Sequence, residues 1–60
     1  MSDEALYDDL PAMMAVALRL HRAGHDEATI AIATGIPVEG VDSLVRLAEA
    51  KLARLRDTRD

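Results

Sequence analysis

Asp26-Glu27-Ala28-Thr29-Ile30-Ala31-Ile32-Ala33-Thr34-Gly35-Ile36-Pro37-Val38 is the stretch on which the fold turns. Its centre, Ala28 to Thr34, carries enough β-branched residues to suggest a strand. No second stretch of the chain reads as a strand to pair with it, and an isolated strand leaves its backbone groups unsatisfied. The flanks favour a helix. Asp26 is placed to cap one, Glu27 falls in its first turn beside the positive end of the dipole, and Gly35 supplies a left-handed stop. The reading is a helix over 26–34, a turn at Gly35-Ile36-Pro37, and a proline that prepares the first turn of the next helix.

That next helix is expected over 38–56. Val41, Leu44, Val45, Ala48, Leu52 and Leu55 recur at three- and four-residue steps along one face, Leu47 stands off that stripe, and the tail 57–60 is expected to fray. Upstream, a helix is expected over 10–23. Pro11 sits in its first turn, Asp8 or Asp9 is placed as its cap, and Gly24 marks its stop. Leu10, Met13, Met14, Ala17, Leu18 and Leu20 form its apolar stripe, with both methionines assigned to the core. Arg19 and Arg22 fall in its last turn, where cations suit the carbonyl end. Residues 1–9 form an acidic lead-in of a turn or two of helix, with Leu6 and Leu10 spaced to cover what lies beneath.

Two helices joined by a glycine turn need a small residue where they touch and apolar residues that lock the second helix to the core. Ala31 lies four residues before Gly35, Ile36 follows it, and Val41 and Leu44 come six and nine residues after it. This register defines a helix-turn-helix unit whose structural residues are Ala31, Gly35, Ile36 and Val41, with Ala31 at the crossing and no room to spare. Thr34 stands where a larger apolar residue is usual. The fold class is all-α: a single small three-helix domain over 1–60, with the short helical lead-in.

Sixty residues bury only about 60% of the surface their unfolded chain exposes. Tyr7 is the only aromatic, so the core is aliphatic, and the absence of cysteine excludes disulfides and thiolate metal sites. His21 and His25 lie four apart, but Gly24 between them ends the helix and no third ligand is evident, so no metal is expected. Asp3-Glu4, Asp8-Asp9 and Asp26-Glu27 fall at helix starts, where negative charge is stabilising, and no nucleophile accompanies them. Neither an enzymatic activity nor a cofactor is expected. Met1-Ser2-Asp3-Glu4 lacks the positive start of a signal peptide, and no stretch approaches the ~18 apolar residues of a membrane span, which leads to the expectation of a cytoplasmic protein. The net charge of −4 is uneven: residues 1–45 hold Arg19 and Arg22 against eight acids, and residues 46–60 hold five basic residues against three acids.

From Leu18 onward the chain resembles region 4 of bacterial sigma factors and the related helix-turn-helix domains of response regulators. The residues that carry the resemblance are Leu20, Ala23-Gly24, Thr29-Ile30-Ala31, Gly35-Ile36-Pro37, Val41, Ser43, Val45, Ala48, Lys51 and Leu52. The resemblance implies a helical domain that docks its second motif helix in the promoter major groove while touching polymerase or activators. Here the positions that would reach DNA hold Pro37, Val38, Glu39, Asp42, Ser43 and Arg46. Gly40, Asp42 and Leu44 stand where the family has a threonine and basic residues, and Glu49 replaces a frequent arginine. Phosphate neutralisation supplies much of the affinity in such complexes, and Glu39 and Asp42 oppose it.

Three function classes follow. The first is a transcription-regulatory protein that works through protein contacts, with itself as a homodimer or with a transcription protein, using Leu44, Leu47, Val45 and Ala50. The second is a dimeric DNA-binding regulator whose Ser43, Arg46, Lys51 and Arg54 touch the backbone. The Arg54, Arg56, Arg59 cluster otherwise reads as a solvated helix end. The third is a structural subunit of a larger assembly.

Overall fold

Asp26 Oδ1 accepts a 2.8 Å hydrogen bond from the backbone N–H of Thr29, and the helix it starts, α3, runs Glu27–Thr34. The protein's structure, a computed structural model, describes residues 4–59; residues 1–3 and 60, with the side chains of Glu4 and Arg59, lie outside it. At the far end of α3, Gly35 takes φ 76°, and its N–H reaches the Ala31 carbonyl at 2.8 Å. Only glycine adopts that conformation without a steric penalty. Thr34 is tolerated beneath the turn because its hydroxyl donates to the Ile30 carbonyl at 2.7 Å, which leaves no unsatisfied polar atom in a half-buried position.

The cap also sets a pH dependence. The Thr29 backbone hydrogen bond holds the Asp26 carboxyl below its ordinary value of 3.8. A depressed native pKa contributes stability that is fully present above the unfolded value and is lost as pH falls through the native one. Asp26→Ala is therefore expected to melt below the parent at neutral pH, with the gap closing as the pH drops below 3.8. Asp26→Asn keeps a capping oxygen and should hold the neutral-pH stability while removing this site's acid dependence. Thermal melts from pH 2 to 7 test both, and an Asp26→Ala deficit that persists unchanged at the acid end would contradict the assignment.

The first long helix, α2, spans Ala12–Arg22. It begins two residues later than the expected 10–23, because Pro11 (φ −52°, ψ 142°) occupies the N-cap position rather than the first turn, and neither Asp8 nor Asp9 is the cap residue. The buried arc differs from the expected stripe: Ala15, Ala17 and Leu18 are sealed, Met14 and Leu20 are half-buried, and Met13, on the other flank of the helix from Ala15, is 46% exposed and not in the core. Its end follows the glycine rule. Gly24 takes φ 90°, its N–H bonds to the His21 carbonyl at 3.1 Å, and the His25 N–H reaches back to Leu20 O at 3.1 Å. These are the paired bonds of a Schellman stop.

Upstream, α1 is a single turn, Glu4–Tyr7, that lies on the last helix. Leu6, Tyr7 and Leu10 are buried, as the lead-in's spacing required for its two leucines. The Tyr7 ring is flanked by Arg19, 5.1 Å from its centroid, and by Arg22 at 6.0 Å, and Arg22 Nη1 donates to the Tyr7 hydroxyl at 2.9 Å. The two arginines thus clamp α1 to α2, a cation–π arrangement as well as a helix-end charge effect.

After Pro37 the chain makes a 3₁₀ turn, Val38–Gly40, and only then the long helix α4, Val41–Arg59. The expected 38–56 therefore starts three residues too early and stops three too soon. The helix continues through the predicted fraying point, where the Thr58 hydroxyl donates to the carbonyls of Arg54 and Leu55 at 3.0 and 3.1 Å.

Packing is centred on α2, which lies against both α4 and α3. Ile30, Val41, Val45, Ala48 and Leu52 complete the core begun by α1 and α2. Ala17 and Ala48 are both 0% exposed, so the closest packing involves α2 and α4. Ala31, expected to have no room to spare, is only half-buried at the edge of that core. The molecule is all-α, with no strand among the described residues. No single helix among them is long and apolar enough to cross a membrane.

Candidate functional site

α3 and the segment that follows it are bent by 104° at the Gly35-Ile36-Pro37 break. Three residues make this corner: Gly35 through its left-handed backbone, Ile36 by turning half into the core, and Val41 by sealing the start of α4 at 1% exposure. The corner leaves the outer face of α4 uncovered along its whole length. A helix of 19 residues is about 28 Å long, most of the molecule's 35 Å long axis.

Along that face lie the exposed residues Asp42, Ser43, Arg46, Leu47, Glu49, Ala50, Lys51 and Arg54. Ser43, Arg46, Lys51 and Arg54, the residues of the DNA-backbone reading, therefore all reach solvent. The partner-surface set divides. Leu47 is 58% exposed and Ala50 is exposed, but Val45 is 4% exposed and belongs to the core, with Leu44 half-buried against it. Leu44 and Val45 lie on the side of α4 that α2 and α3 cover, so the apolar part of the outer face reduces to Leu47 and the small side chains around it.

Arg46 is the one cation within the expected reading positions, and Asp42 holds its Nε at 3.2 Å. With both side chains more than half exposed, the pair adds little to stability. Its consequence is electrostatic: the guanidinium is neutralised by a carboxylate one turn away, while Glu39 stands exposed on the preceding 3₁₀ turn. At the expected reading positions the balance is therefore negative, Glu39 and Asp42 against Arg46, with Lys51 and Arg54 further along the helix.

His21 and His25 do approach the start of α4. With Asp26, Glu27 and Asp42 they rim an open cleft of about 390 Å³ floored by Val41 and Val45. No three His, Asp or Glu side chains among the described residues are arranged to hold a metal ion.

Reading the sequence missed Ile32, which is 85% exposed and the most exposed large apolar side chain described. Its neighbour Ile30 is 1% exposed. Two residues apart on a helix project about 200° apart, so once Ile30 is assigned to the core, Ile32 must point away from it. Comparison with family models, curated proteins and solved structures yields no match, so the chain's own geometry carries the functional reading.

Proposed function

We propose that this protein is a helix-turn-helix domain that regulates transcription through protein contacts, with its sequence resembling sigma region 4 and its DNA-reading surface converted to a docking surface. The 104° corner between α3 and the helical segment after it lies within the range over which such motifs cross. The single observation that carries the reading is the outer face of α4: Glu39 and Asp42 are exposed, Arg46 is held by Asp42, and Leu47 stands 58% exposed beside Ala50. Charged residues are typically depleted at the centre of a protein interface and apolar ones favoured, and Leu47 with Ala50 forms such a centre with the charges at its rim.

The competing reading is a DNA-binding dimer using Ser43, Arg46, Lys51 and Arg54. An anisotropy titration against genomic and random duplexes at physiological salt separates the two. The expected result is no sequence-dependent binding, and sub-micromolar sequence-dependent affinity would overturn the proposal. Glu39→Lys combined with Asp42→Arg should raise nonspecific affinity and steepen its salt dependence, because it removes two repulsive charges and frees Arg46 for phosphate. No gain from that variant would mean that α4 does not face a duplex in any mode.

A further inference from the structure

We infer that residues 4–10 form a strap that opens as a unit from the body made by α2, α3 and α4, with Tyr7 as its latch. The strap stands apart from the protein-contact reading, because Leu47 on the outer face of α4 is 58% exposed with the strap closed.

The backbone makes the segment separable. α1, Glu4–Tyr7, is a single turn, and a helix that short has no stability of its own. After it the Asp9 N–H donates to the Leu6 carbonyl and the Leu10 N–H to the Tyr7 carbonyl, both at 3.0 Å, so these bonds close within the segment. Pro11 then interrupts the ladder. It has no N–H to donate, and its ψ of 142° is extended. Beyond that break α2 starts its own bonds, with the Ala15 N–H on the Pro11 carbonyl at 3.0 Å.

Side chains hold the strap closed. Leu6, Tyr7 and Leu10 are buried against the body, with α1 lying on α4. At the α2 edge the Tyr7 hydroxyl accepts from Arg22 Nη1 at 2.9 Å, and Arg19 sits 5.1 Å from the ring centroid. The body has a framework that does not pass through these contacts: Asp26 caps α3, Gly24 and Gly35 end α2 and α3, and Leu18, Ile30, Val41 and Leu52 are the largest fully buried side chains. A terminal segment with local hydrogen bonds and few buried side chains opens at lower free energy than the core it lies on. Opening lifts three large apolar side chains and uncovers the strip of α4 beneath them. The position of the strap therefore sets how much apolar surface α4 presents.

Amide hydrogen exchange of the full chain, read residue by residue by NMR, tests the device. Asp9 and Leu10, whose amides are bonded inside the strap, should exchange together and faster than Leu18 and Leu52 in the body. Tyr7→Phe keeps the ring beside Arg19 and removes the hydroxyl, and it should speed exchange at Asp9 and Leu10 roughly 2- to 10-fold, the range for one net hydrogen bond. Asp26→Ala weakens a cap that is intact whether the strap is closed or open. It should speed exchange at Leu18 and Leu52 roughly 2- to 30-fold, as loss of a cap implies, and leave Asp9 and Leu10 unchanged. If Asp26→Ala speeds all four amides alike, the chain opens only as a whole and there is no separate strap. If Tyr7→Phe leaves Asp9 and Leu10 unchanged, Tyr7 is not the latch and the inference is overturned.

Discussion

Leu18→Ala is expected to remove most of the chain's stability at 25 °C. Leu18 is fully sealed, at 0% exposure, and is among the largest side chains buried that completely. Truncating a buried leucine loses its transfer free energy and leaves a cavity that the surroundings fill only in part, about 2–5 kcal/mol together. The lower end applies if α2 can settle towards α4, the upper end if Ala17 and Ala48 already hold the helices at contact. A single core in a chain of this length rarely supplies more than roughly 3–5 kcal/mol, so either end removes much of the margin. Met13→Ala on the same helix is the control: at 46% exposure it should cost well under half as much. Urea titrations of both variants by circular dichroism, at a concentration where the parent is monomeric, provide the comparison. If Met13→Ala proves the more damaging, the buried arc of α2 is not the one through Ala15, Ala17 and Leu18.

The features legible in the sequence are those written into neighbouring residues. Asp26, Gly24 and Gly35 act on backbone groups within four residues of themselves, so the start of α3 and the ends of α2 and α3 could be read without knowing what packs where. The start of α2 was misplaced because proline fits both the N-cap and the first turn; its backbone angles, not its identity, decide. Met13 and Ala15 lie about 200° apart on that helix, so only one of them can face the core, and the small Ala15 is the one that packs there. The clamp of Arg19 and Arg22 on Tyr7 joins residues 12 and 15 positions apart, a separation at which no periodicity reports contact.

The candidate surface was legible in part for the same reason. Leu47 leaves the apolar stripe of its helix by spacing alone and is exposed as that spacing requires. Val45 sits on the stripe and is buried, so its place in a partner surface was inconsistent with its own periodicity. The pairing of Arg46 with Asp42 is a four-residue contact, visible in the sequence once the segment is helical, and it cancels the charge that either residue alone would bring to the face.

Ala48→Leu is expected to be among the most damaging small-to-large changes in the molecule. Ala48 is 0% exposed on the buried face of α4, three residues from Val45 and four from Leu52, which are themselves 4% and 1% exposed. At 0% exposure the three added carbons have no path to solvent, and relief requires α2 to lift from α4, the helix pairing that most of the core depends on. Overpacking of this kind costs about 1–3 kcal/mol, and in a domain of this size each kcal/mol lowers the melting midpoint by roughly 4–8 °C. Ala31→Leu probes the α3–α4 corner instead; because Ala31 is half-buried, its new side chain can lean towards solvent and the loss should be smaller. Ala33→Leu, exposed on the same helix, should change the midpoint little, within the ~0.5 kcal/mol of most surface substitutions. Thermal melts of the three variants should therefore rank Ala48→Leu lowest, Ala31→Leu between, and Ala33→Leu near the parent. If Ala31→Leu instead melts lowest, the tight contact of the fold lies at the α3–α4 corner and α2 is the looser partner.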